Sequence, residues 1–200
     1  MTMKWKRSLL LSIVILFTAT LLLADTLLDV QRSYEQHSHF TVEFYQDTYQ
    51  SIVNKQIHFT GKVSYKRGLG VRMDVYTPQK QIIILKEDAV WIYLPDEGTS
   101  SIQEIPKEIA TQNILAFFSG IGSLSENYSI QENSDYFTLI PKTGTGSIHV
   151  WLDDKNFLKR IQVKDSTGNQ SDVHLLQYTF HAKVENDLFD PEQVIKSIDK

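Results

Sequence analysis

The residues with chemical potential in this chain are scattered. Six histidines stand at positions 37, 39, 58, 149, 174 and 181, and only His37 and His39 form a close pair. A zinc site needs cysteine, histidine or carboxylate ligands at set spacing. The chain has no cysteine and no H-E-x-x-H helix, so solvated loop histidines account for the pattern. Acyl transfer would need a serine on a G-x-S-x-G elbow, and neither Phe118-Ser119-Gly120 nor Gly122-Ser123-Leu124 supplies one. Gly68, Gly70, Gly144 and Gly146 match no dinucleotide or phosphate loop and fit hairpin turns. The carboxylate pairs Glu87-Asp88 and Asp153-Asp154 also fall at turns. The sequons Asn127-Tyr128-Ser129 and Asn169-Gln170-Ser171 matter only in a eukaryotic secretory pathway. No enzyme, cofactor or metal site is expected. Arg67 and Arg72, which flank a turn between apolar strands, are better candidates for function. Either guanidinium could donate to backbone carbonyls of a covering helix, the alternative being an edge cation lying along the sheet.

The elements that position these arginines are strands. From Gly61 to Pro78, and again from Ile82 to Pro95, apolar side chains recur at every second residue, which builds one continuous apolar sheet face. Phe40, Val42 and Phe44 start the series; Ile57, Phe59, Val63 and Tyr65 follow the Asn54-Lys55 turn. Val71, Met73 and Val75 come next, closed by Pro78, which donates no ladder hydrogen bond. Five more strands are expected, from Tyr128 to Glu132, Asp135 to Pro141, Gly146 to Asp153, Phe157 to Lys164 and Ser171 to Phe180. Turn-forming residues separate them. Two segments read as helices: Asp25 to about Gln36, with Leu27, Leu28, Gln31 and Tyr34 at helical spacing, and Lys107 to about Ser123, with an apolar stripe. The expected architecture is mainly β, one long curved antiparallel sheet with both helical segments on one face.

Lys4, Lys6 and Arg7 precede the apolar run Leu9 to Leu23, and Ala24 offers a cleavage position. This is the layout of a secretory signal peptide over residues 1–24, leaving 25–200 as a single domain. Leu22 is a poor residue before such a site, so an uncleaved anchor is the alternative. Cleavage would remove three basic and no acidic residues, taking the net charge from −4 to −7. Such acidity argues against nucleic acid or an anionic membrane as partner. With no cysteine there is no disulfide and no lipid-modified N-terminal residue.

In order along the chain, Phe40-x-Val-x-Phe44 and Gln46, Gly61-x-Val-x-Tyr-Lys-Arg67, Val71-Arg-Met-Asp-Val-Tyr76-Thr-Pro78, Asp88-x-Val-Trp91-Ile-Tyr93-x-Pro95, Leu139-Ile-Pro141-Lys142 and Phe189-x-Pro191 resemble the periplasmic outer-membrane lipoprotein carrier (LolA) family. Gly68 stands where the family has proline, and Ala89 where its Asp-Gly turn has glycine. The resemblance implies an unclosed antiparallel β-barrel of about eleven strands with a helical lid. It also implies a monomeric periplasmic carrier that takes the acyl chains of lipoproteins from an inner-membrane ABC transporter complex toward the outer membrane, where a receptor could accept them. A lipid-binding sensor of envelope stress on the same fold is the alternative.

The expected cavity wall has three parts. Phe44, Phe59, Val63, Tyr65, Met73 and Val75 come from the first strands, followed by Trp91 and Tyr93. The middle helix adds Ile114, Phe117, Phe118 and Ile121. Leu139, Ile148 and Val150 complete the wall, and the resemblance makes Arg67 the latch of the lid. Val90, Ile92 and Leu94 oppose Trp91 and Tyr93 with equal apolarity, so the choice of face there is open.

Overall fold

Alternating apolar residues fold the described part of this chain into eleven antiparallel strands. A computed structural model describes residues 29–30, 32–86, 89–104, 128–143 and 145–198. The first meander comprises β1 (His39–Gln50), β2 (Lys55–Lys66), β3 (Gly70–Thr77), β4 (Gln81–Lys86), β5 (Ala89–Leu94) and β6 (Thr99–Glu104). The second comprises β7 (Tyr128–Glu132), β8 (Phe137–Pro141), β9 (Ser147–Leu152), β10 (Leu158–Lys164) and β11 (Gln170–Thr179). They form one sheet in the order β6-β5-β4-β3-β2-β1-β11-β10-β9-β8-β7, so pairing of β1 with β11 joins the two meanders at the centre. Among the described residues β6 and β7 are the edges, and the sheet is not closed.

Bulges interrupt the register between Thr60 and Gly61, between Leu158 and Arg160, and where Val42 and Phe44 meet β11. Each adds local bend and twist, which lets so wide a sheet curl instead of lying flat. The β2–β3 turn ends on Gly70, whose φ of 111° and whose missing Cβ, which would fall 2.2 Å from the Leu85 carbonyl oxygen, both require glycine.

The register sorts side chains into two faces. Val42, Val63, Met73, Ile83 and Ile92 align across β1 to β5 on the inner face. Thr41, Ser64, Arg72, Ile84 and Trp91 align on the outer face. The inner residues of both meanders belong to one buried cluster, which Val30 and Tyr34 of the N-terminal helical segment join. These two stand four residues apart, one turn of that helix, and so share a face.

The outer face of β3 to β5 is covered as well. A 3-10 turn (Asn186–Phe189) and a C-terminal helix (Pro191–Ile198) lie there, with Val194 packed among Ile82, Ile84, Trp91 and Tyr93. Arg72 fastens this cover. Its Nη1 donates to the Leu188 carbonyl at 2.9 Å, while Nε and Nη2 grip Asp74 at 3.0 and 2.6 Å. Lys66 Nζ adds a bond of 2.5 Å to the Val184 carbonyl.

Two sequence expectations are revised by these observations. Helical cover is not confined to one face, because the C-terminal helix sits on the outer one. β6 went unforeseen because Thr99-Ser100-Ser101-Ile102-Gln103-Glu104 is exposed throughout and polar but for Ile102, with no buried face to print an alternation. The expected helix from Lys107 to Ser123 lies outside the described residues.

Candidate functional site: an apolar inner face

The inner face is built by alternation alone. Phe40, Tyr65, Val71, Leu85 and Val90 form one row, and Phe44, Gly61 and Val75 another. Across β11 the apolar surface continues through Val173, Ile161, Val150 and Phe137, and through Val163, Ile148, Leu139 and Ile130. Val63, Leu139, Ile148 and Val150 are each at most 3% exposed.

One end of this face is closed by aromatic rings. Tyr34 meets Phe157 at 5.1 Å between centroids, Phe157 meets Phe180 at 4.8 Å, and Phe40 stacks on Tyr65 at 5.0 Å. The polar atoms in this plug bond one another. Leu158 N–H donates to Tyr34 Oη at 3.1 Å, and the Tyr178 hydroxyl donates to the Leu158 carbonyl at 3.0 Å. The Tyr34 hydroxyl therefore donates to Tyr178 Oη at 2.9 Å. Burial pushes both phenols above their ordinary ionisation range, so they remain neutral donors.

Arg67 stands at the rim of the plug. Its Nη2 donates to the Glu35 carbonyl at 2.6 Å and to the His37 carbonyl at 3.3 Å, while its backbone N–H donates to Ser38 O at 2.8 Å. A guanidinium on the last carbonyls of a helix also meets the negative end of the helix dipole. His37 stacks on Phe180 at 3.8 Å, and burial, with His181 and His39 nearby, lowers its pKa and favours the neutral ring.

At the opposite end of the face, Gln46, Thr48 and Ser171 are joined by hydrogen bonds of 2.7 and 3.1 Å. The outer face of the second meander is polar and self-paired. Arg160 bonds Asp172 at 2.8 and 2.5 Å and lies over Trp151, its bonds holding the Asp172 carboxyl below the usual carboxylate range. Among the described residues no group of three or more His, Cys, Asp or Glu could hold a metal ion.

Residues 35–192 match the family described as outer membrane lipoprotein carrier protein LolA. The chain belongs to this family. An outer-membrane lipoprotein carrier protein of Actinobacillus pleuropneumoniae is 28% identical over 170 residues, spanning 83% of this chain and 79% of that protein. One from Haemophilus influenzae is 23% identical over 94% of each chain. Among solved structures, a LolA superfamily protein from Nitrosomonas europaea superposes with a TM-score of 0.52 at 11% identity, over 84% of this chain and 97% of that one. A DUF1329 family protein from Desulfovibrio piger gives 0.51 at 12% identity, over 84% and 95%. Such distant structural matches show the LolA fold.

On this LolA fold, nine of the wall residues named from sequence lie together on the inner face. Phe44, Val63, Met73, Val75, Leu139, Ile148 and Val150 are buried there, with Phe59 and Tyr65 partly buried against them. Trp91 and Tyr93 lie on the outer face instead, under the C-terminal helix. The register gives the inner positions of β5 to Val90 and Ile92. Ile114, Phe117, Phe118 and Ile121 lie outside the described residues. Arg67 does reach backbone carbonyls, those of the N-terminal helix end. Sequence reasoning passed over Ile161, Val173 and Leu175, although their odd-numbered spacing on neighbouring strands carried the same alternation signal.

Proposed function

We propose that this chain is a periplasmic carrier that shields the acyl chains of lipoproteins on its inner face and ferries them from the inner to the outer membrane. The observation that carries this reading is one apolar face running across both meanders, lined without ionised side chains over its buried rows. Membership of a family whose relatives are named as lipoprotein carriers supports the cargo class.

The physical need is large. Three acyl chains hold roughly 45 methylenes, and at about 0.8 kcal/mol each their exposure to water costs on the order of 36 kcal/mol. A dispersive, apolar wall offsets that cost without reading the attached protein, so one carrier serves many lipoproteins. It works as a monomer, exported by the signal peptide 1–24. An inner-membrane ABC transporter complex loads it, and an outer-membrane receptor or the membrane itself unloads it.

The same surface on a lipid-sensing regulator would meet free lipid only, which gives a clean test. Purified gently from its native envelope, the protein is expected to bring intact lipoproteins with it, identified by mass spectrometry. Recovery of phospholipid alone would contradict the carrier reading and favour the sensor.

A further inference from the structure

At the end away from the aromatic plug, midway across the strands, the inner face is interrupted by polar side chains. Gln46, Thr48 and Ser171 stand where β1 and β11 meet, the sixth and seventh of the eleven strands across the sheet. Thr48 lies opposite Ser171, and Gln46 opposite Val173. Their neighbours on the same face are apolar: Phe59 and Ile57 on β2, and Val163 on β10. All three polar residues are half-buried.

Polar groups that lipid must cover are costly unless they gain a partner. At the plugged end of the face, Tyr34, Tyr178 and Leu158 satisfy one another in a ring. The trio at the other end is different. Gln46 Nε2 donates to Thr48 Oγ1, and Thr48 Oγ1 meets Ser171 Oγ. Among the described residues Gln46 Oε1 accepts no hydrogen bond, and no buried side-chain polar atom is left unpaired, so that oxygen is reachable. Methylenes laid over the trio would strand these groups, whereas an ester or amide would engage them. Acylated cargo carries such groups at one point, where its chains converge on the first residue. From this seat, midway across the strands and opposite the plug, apolar arms can run over both meanders and toward the aromatic rings.

We propose that Gln46, Thr48 and Ser171 seat the ester and amide groups that join the acyl chains of a lipoprotein to its first residue, fixing the chain ends toward the plug. The inference rests on the carrier reading and adds a cargo orientation. The test compares wild type with the triple variant Gln46→Leu, Thr48→Val, Ser171→Ala for two probes: a synthetic peptide with N-palmitoyl-S-dipalmitoylglyceryl-cysteine, and diphenylhexatriene, which has no hydrogen-bonding group. Lipopeptide affinity is expected to fall about tenfold with diphenylhexatriene affinity unchanged or tighter. Thr48→Val alone, with an unchanged melting temperature, is expected to weaken lipopeptide about threefold and carries the test if the triple variant does not fold. Equal lipopeptide binding by wild type and variants, or a parallel loss of both probes, overturns the seat and leaves the carrier reading standing. A wild-type protein that binds neither probe overturns both.

Discussion

Replacing Gly61 by alanine is expected to lower the stability of the protein by about 3 kcal/mol, a melting-temperature fall of about 6–12 °C. A Cβ at this position would lie 2.2 Å from the Asp74 carbonyl oxygen and 2.6 Å from Phe44 Cε1. The first of these atoms is backbone and cannot turn aside. The second belongs to a ring 3% exposed, with no free space to enter. Gly61 pairs with Phe44 on β1 and with Val75 on β3, next to the bulge, so any shift spreads through three strands that carry the inner face. Thermal denaturation followed by far-ultraviolet circular dichroism checks this. A melting temperature within about 2 °C of wild type would show that β2 and β3 do not approach so closely.

Arg67→Leu is the substitution with the largest expected effect on transfer. The leucine keeps the backbone bond to Ser38 and loses both side-chain bonds to Glu35 and His37, so the sheet survives and the helix end is freed. About 1–2 kcal/mol lost from the closed, empty state moves the opening equilibrium by about 5- to 30-fold. On our proposal that Arg67 latches the helix end over the empty face, closure competes with cargo, so apparent affinity rises by the same factor and release slows with it. Faster amide hydrogen exchange at residues 35–38, tighter binding of a triacylated lipopeptide and slower hand-over to acceptor membranes are the expected readouts. Arg67→Lys, with a single cationic head in place of a planar fork, should restore part of the wild-type behaviour. Loading and release at wild-type rates in Arg67→Leu would remove this residue from the mechanism.

Most of the sheet was legible in the sequence because one-sided burial prints an alternation. Phe40 to Phe44 and Ile57 to Tyr65 show it plainly, and each lies within an observed strand, β1 and β2. Legibility failed where the physics of the face differs. At Ile82-Ile83-Ile84-Leu85 and Val90-Trp91-Ile92-Tyr93 both sets of side chains are apolar because both faces are covered, the outer one by Val194 and its helix. No period-2 argument can choose between two buried faces, so Trp91 and Tyr93 were assigned to the wrong one. The C-terminal helix that covers them is only eight residues long, and its signal, Val194, Ile195 and Ile198 at helical spacing, was passed over. β6 failed for the opposite reason, having no buried side chain at all. The polar trio at Gln46, Thr48 and Ser171 is invisible from sequence, since its meaning comes from β1 pairing with a strand more than a hundred residues away. Arg67 was singled out by its place beside a turn and by the family resemblance. Its carbonyl partners, one turn of helix plus a junction, needed the fold.

The central claim is that acyl chains lie on the inner face. Val163 and Gln162 are neighbours on β10 that point to opposite faces, Val163 beside Ile148 and Ser171, Gln162 beside His149 and Asp172. A photoreactive amino acid placed at each position in turn, irradiated in living cells, reads the two faces separately. Crosslinks to acylated lipoproteins from position 163 and none from position 162 are the expected result. Crosslinks from position 162 alone, or from neither position while 163 remains folded and expressed, would contradict it.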